Sequence, residues 1–142
     1  MNNARRVFFA LCFAAVAGCA SGPKFSEMQA TMPTLKAGEG RIYVYRDSSF
    51  GAAIVPAVYI NGQESGRSLL NSFFYVDRAP GEYKISSTTE VEKSVSLALA
   101  TGESKFVRVS ISMGLFAGRP NFELVNEAGA RTALQSLSYS GK

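Results

Sequence analysis

The chain has 142 residues, 46% of them hydrophobic, with 15 basic and 11 acidic side chains, a formal charge of +4 and no histidine. Without histidine there is no usual general base, no commonest metal ligand and no Ser-His nucleophile arrangement. The basic residues are scattered, with no run that would track phosphates, so nucleic acid is not an expected partner.

The first element is the apolar run VFFALCFAAVAGC, Val7 to Cys19, preceded by Arg5 and Arg6. As a helix it covers roughly 20 Å against a hydrocarbon core of about 30 Å, too little to span. A basic start, a short apolar run and small residues before a cut site form the pattern of a secretory signal peptide. The stretch Val16-Ala17-Gly18-Cys19 resembles the lipobox of bacterial lipoproteins, in which the cysteine thiol accepts a diacylglycerol and cleavage leaves that cysteine first. The resemblance implies a signal peptide at 1–18, with Val16, Ala17 and Gly18 as the peptidase recognition residues and Cys19 as the lipidation site. It also implies membrane attachment through an acylated N-terminus, and the lipoprotein processing and sorting machinery as partners. In Gram-negative sorting, an aspartate after the cysteine retains a lipoprotein in the inner membrane. Here Ala20 follows, and the expected location is the periplasmic face of the outer membrane.

Cleavage removes Cys12, Arg5 and Arg6, leaving 13 basic against 11 acidic residues and a mature chain of 124 residues. With Cys19 lipidated, that chain has no disulfide, no thiolate ligand and no thiol nucleophile. Its length suits one domain with an ordinary hydrophobic core.

ASGPKFSEMQATMPTLKAGEG, residues 20–40, is small and polar with two prolines. Residues 19–39 are read as the lipidated cysteine and a tether, which twenty extended residues would carry to roughly 65 Å. Within it, KFSEMQATM permits a short helix with Phe25 and Met28 on one side.

From Arg41 the apolar pattern has period two. RIYVYRD, VYING, FFYVD, GEYKIS, KSVSLALA, KFVRVSIS and NFELV each read as a half-buried strand, separated by the turn signals NGQESG, APG, TGES, GLFAGRP and NEAG. About seven short strands predict an all-β, antiparallel sandwich over residues 40–142. The tail EAGARTALQSLSY has helical spacing at Ala130, Leu134 and Leu137 and is read as a short closing helix, with an eighth strand as the alternative.

The order RIYVYR, VYINGQESG, FFYV, APGEYKI, GESKFVRV and FELV resembles a family of small bacterial lipoprotein domains of uncharacterised function, from Arg41 to about Val125. YINGQESG with APGEYKI is also similar to prealbumin-like and surface-layer sandwich modules. Asn61-Gly62 would then be a hairpin turn and Pro80-Gly81 the turn into a strand. The resemblance implies a sandwich and a lipoprotein, and it carries over no catalytic residue.

A search for reaction chemistry returns little. Ser21 and Lys24 have the spacing of a Ser-Lys pair but flank Pro23 in the tether. Glu90 and Glu92 on one strand face lie roughly 6.6 Å apart, near the separation of inverting glycosidase carboxylates, yet they sit beside Lys93 in a solvated charge run. No calcium loop and no phosphate cradle are visible, and no cofactor or metal is expected. Two features suit binding. Tyr43, Tyr45, Tyr59 and Tyr75 fall on the strand faces opposite the aliphatic set, where an open aromatic strip would stack on a glycan or receive an envelope protein; the alternative is that this face is the inner one or is covered by the closing helix. Leu115 and Phe116 occupy a glycine-flanked hairpin tip, MGLFAGRP, and are read as a contact rather than as core. The expected function is a non-catalytic binding or structural module of the cell envelope. The alternatives are a hydrolase of envelope polymers using Glu90 and Glu92, or a subunit of an envelope assembly.

Overall fold

The computed structural model describes residues 22–89 and 91–142. The elements in chain order are α1 (Phe25–Met28), β1 (Gly40–Arg46), β2 (Ala57–Ile60), β3 (Gln63–Arg67), β4 (Ser72–Arg78) and β5 (Gly81–Thr88). They continue with β6 (Glu92–Leu99), β7 (Ser104–Met113), β8 (Gly118–Val125), α2 (Glu127–Leu134) and β9 (Ser138–Tyr139). They form a sandwich of a five-stranded sheet, β8-β7-β1-β4-β9, and a four-stranded sheet, β3-β2-β5-β6.

The period-two patterns are the strands. Ile42, Val44, Phe74, Val107 and Val109 point inward from the larger sheet and meet Val58, Ile60, Ile85, Leu97 and Leu99 from the smaller one. Each fully buried aliphatic or Phe side chain contributes about 1.5 to 3 kcal/mol, so this layer dominates the stability. Asn61 and Gly62 both have positive φ, 48° and 82°, the two-residue hairpin geometry expected of Asn-Gly. The NGQESG stretch nevertheless goes beyond a turn. It continues into β3, an edge strand of exposed and half-buried residues whose polar sequence carries no alternation.

The expected all-β sandwich is the observed fold, and its larger sheet is mixed: β1 pairs in parallel with β7 and β4 in parallel with β9, beside the antiparallel pairs. The chain crosses to the smaller sheet twice, returning first as β4, antiparallel to β1, and then as β7, parallel to it. One expectation is corrected, because residues 22–39 are not a loose tether. Phe25 is 1% exposed in a second cluster with Tyr43, Phe73, Phe106, Leu134 and Leu137, on the outer face of the five-stranded sheet.

That outer face is aromatic, and α1 and α2 cover it. Asn126 caps α2 by accepting from the Gly129 N–H at 2.8 Å, and Ala130 and Leu134, one turn apart, face the sheet. The N-terminal segment is stitched down by backbone bonds. Phe25 N–H donates to the Leu137 carbonyl and Tyr139 N–H donates to the Pro23 carbonyl, both at 2.9 Å. Arg41 adds a third tie by donating to the Pro33 carbonyl at 2.8 Å while its fork grips Asp77 at 2.6 and 2.8 Å. The tail thus supplies both expected forms, the closing helix α2 and then the short strand β9.

Candidate functional site

Tyr43 and Tyr45 do not line an open strip. They are 4% and 2% exposed, because the helices close over their side of the sheet. Tyr43 stacks on Phe106 at 5.0 Å and meets Phe25 edge-on at 6.1 Å. Tyr75, on the same face, is half-buried with the Arg41 guanidinium 4.3 Å over its ring. Tyr59 belongs to the other sheet, opposite Ser86 and Glu64. The four tyrosines therefore belong to two separate surfaces, and two of them are core.

The hairpin tip behaves differently. β7 continues five residues beyond its last pair with β1, Tyr45 with Arg108, and turns into β8 at the Met113–Gly118 pair. Five residues at about 3.3 Å each carry the tip roughly 16 Å past the end of that pairing. There Met113, Leu115 and Phe116 are 80%, 82% and 95% exposed, and Phe50 of the β1–β2 loop adds a ring that is 51% exposed. Together with Ile54 they line an open concavity of about 600 Å³.

This surface is built from below. A Cβ on Gly118 would lie 2.2 Å from Ile54 Cδ1 and 2.8 Å from Ile111 Cγ2, so glycine is what lets the β1–β2 loop close onto the hairpin. The loop itself is held by Arg46, which is fully buried. Its Nη1 donates to the carbonyls of Ile54 at 2.7 Å and Ser68 at 3.2 Å, and its Nη2 to those of Phe50 at 2.8 Å and Gly51 at 2.7 Å. None of these acceptors is a carboxylate, and burial pushes the guanidinium below its ordinary value. Hydrogen bonds to a charged group are worth about 1.5 to 3 kcal/mol each when well made, which offsets the desolvation. Arg46 is thus the post around which the loop carrying Phe50 and Ile54 is wound.

Phe50, Met113 and Arg46 are not among the residues singled out from sequence. Arg46 shares the parity of Ile42 and Val44, which is a signal that it points inward. Met113 directly follows the alternation of β7, and Phe50 is a lone aromatic in SSFGAA.

The other sequence candidates do not converge. Glu92 pairs with Lys84 on the exposed face of the smaller sheet. Glu90, Ser21 and the lipobox residues Val16, Ala17, Gly18 and Cys19 lie outside the described residues. Among the described residues there is no group of three or more His, Cys, Asp or Glu placed to hold a metal ion.

An uncharacterized protein of Haemophilus influenzae is 33% identical over 104 residues, which is 72% of this chain and 62% of that protein. No solved structure matches. Residues 36–120 match the family described as Protein of unknown function (DUF2846), and the chain belongs to that family.

Proposed function

We propose that this chain is a lipid-anchored lipoprotein on the periplasmic face of a bacterial outer membrane, and that it acts as a non-catalytic contact module through the tip formed by the β1–β2 loop and the β7–β8 hairpin. The observation that carries the contact reading is the exposure of Phe50, Met113, Leu115 and Phe116 side by side on a scaffold that buries Phe25, Tyr43, Tyr45, Phe73, Phe74 and Phe106. Scattered exposed apolar residues are ordinary, whereas a contiguous apolar patch marks a surface that meets something. The anchor reading rests on the signal-peptide pattern and on Val16-Ala17-Gly18-Cys19.

The test is metabolic labelling with a fatty acid, followed by membrane fractionation, of the wild-type chain and the Cys19→Ser variant. The wild type is expected to incorporate label and to fractionate with the outer membrane, and the variant to lose the label and accumulate as precursor. Equal labelling of both would refute lipidation at Cys19.

A further inference from the structure

The backbone bonds that stitch down residues 23–25 also give them a direction. Lys24 pairs antiparallel with Ser138, Phe25 N–H donates to the Leu137 carbonyl, and Tyr139 N–H donates to the Pro23 carbonyl. Ser138 and Tyr139 pair in parallel with Ser72 and Phe73, and β4 runs from Ser72, opposite Arg46, to Arg78, opposite Gly40. Followed back toward Cys19, the chain therefore heads for the Gly40 and Arg78 end of the larger sheet, here called the lower end, whereas the β7–β8 tip projects from the Arg46 end. Gly22 keeps to that path, since a Cβ there would lie 2.1 Å from the Tyr139 carbonyl oxygen.

Lengths decide which end the anchor reaches. Gly22 falls one residue beyond the Pro23 bond, about level with Phe74, and the four residues from Phe74 to Arg78 cover about 13 Å. Three residue steps join Gly22 to Cys19, a reach of about 10 Å. Continued in the direction already set, they bring Cys19 to within about 3 Å of the level of the lower end. Met113 lies the other way, six residues or about 20 Å above the Phe74, Val44 and Val107 row, so a link doubled back on itself would still stop about 10 Å short of the tip.

The lower end is pinned and polar. Tyr83 Oη donates to the Ala79 carbonyl at 2.6 Å in the β4–β5 turn, Ala100 N–H donates to Glu103 Oε2 at 2.9 Å in the β6–β7 turn, and Gly102 N–H donates to the Glu39 carbonyl at 2.8 Å. The large exposed apolar side chains of the domain, Phe50, Val91, Met113, Leu115, Phe116 and Leu124, all lie outside these turns. Arg41 is paired with Asp77 and Lys105 with Glu103, and the remaining cations of this end, Lys36 and Arg78, are matched in number by Glu39 and Glu82. A flat, neutral, hydrogen-bonding end suits a headgroup layer and has nothing to bury among acyl chains.

We propose that the domain rests by this lower end on the headgroups of the bilayer that holds the Cys19 lipid, with its strands upright and its tip turned away from the membrane. The orientation rests on the lipid-anchored reading above and deepens it by naming the surface that meets the lipid. β7, ten residues from the lower end to Met113, then holds the tip about 30 Å above the headgroups, where it is open to the periplasmic space.

Signal cleavage removes Cys12 and lipidation occupies the Cys19 thiol, so a cysteine introduced elsewhere is the single reactive thiol of the mature lipoprotein. Ala79→Cys reports on the lower end, Glu64→Cys on the β3 edge beside the C-terminal residues, and Leu115→Cys on the tip, and all three positions are exposed. Each variant is made as the full lipoprotein, labelled with a fluorophore and reconstituted into vesicles of phosphatidylethanolamine and phosphatidylglycerol, some of whose headgroups carry a nitroxide quencher. The Ala79 label is expected to lose most of its intensity, the Glu64 label less, and the Leu115 label none. Equal quenching at Ala79 and Leu115 overturns a fixed orientation, and strongest quenching at Leu115 inverts it. Strongest quenching at Glu64 overturns it in favour of a domain lying on its β3 edge, and no quenching at any position overturns contact with the headgroups. Flotation separates these failures from failure of the reading beneath them. Protein that floats with the vesicles in any of these cases leaves the anchored module standing, and wild type that carries no lipid and does not float removes both.

Discussion

Arg46 Nη2 donates to the Phe50 carbonyl at 2.8 Å, so a fully buried cation fixes the backbone of a residue whose ring is half in solvent. Core and exposed apolar tip are thereby joined at one side chain. Replacing it by methionine keeps the apolar stem and removes the four side-chain hydrogen bonds to the carbonyls of Phe50, Gly51, Ile54 and Ser68. Arg46→Met is expected to lose about 3 kcal/mol or more in urea unfolding. The amides of residues 48–56 should also exchange faster than the rest of the domain, as read by hydrogen exchange.

Phe25 packs edge-on against Phe73 with ring centroids 5.4 Å apart and is 1% exposed. Phe25→Ala is expected to cost about 3 to 5 kcal/mol. That corresponds to a fall in Tm of about 10 °C or more by calorimetry. A chain starting near Lys36 would uncover Tyr43, Phe73 and Phe106, and should aggregate or unfold without cooperativity. An unchanged Tm in Phe25→Ala would return residues 22–39 to the status of a tether.

Much of this was legible in the sequence, and the misses have physical causes. Alternation located β1 with Ile42 and Val44 on one face and Tyr43 and Tyr45 on the other, and both assignments hold. Period two cannot say what covers the second face, and here short helices from distant parts of the chain do so. Four helical residues around Phe25 carry too little periodicity to be told from a linker. β3 was invisible because an exposed edge strand needs no apolar alternation. The exposure of Leu115 and Phe116 was legible because apolar residues at a glycine-flanked turn have no strand face to occupy. Their neighbours Phe50 and Ile54 arrive from a loop some sixty residues earlier, held there by an arginine whose side-chain bonds no local pattern encodes.

Burial raises the phenol of Tyr45 above its ordinary 10.0, and burial does the same for Tyr139. Below about pH 10 the folded and unfolded states both hold these protons, and the contribution to stability is complete. As pH rises further the unfolded chain ionises first, so stability is lost through the folded-state values. The urea midpoint is expected to fall steadily above about pH 10. Tyr45→Phe should fall less steeply. Parallel curves for the two proteins would show that Tyr45 ionises alike in both states.

The most direct measurement on the proposal that the tip is a contact surface is the thermal unfolding of the Leu115→Ser/Phe116→Ser double variant, made in the full chain and compared with wild type. Two buried side chains of this size would take about 3 to 6 kcal/mol with them, and Tm would drop by about 10 °C or more. Side chains that are 82% and 95% exposed have little burial to lose. The expected result is a Tm within about 2 °C of wild type, since surface substitutions stay within about 0.5 kcal/mol. A drop of ten degrees or more would place both residues in the core and contradict the assignment of the tip as the surface through which this protein meets its surroundings.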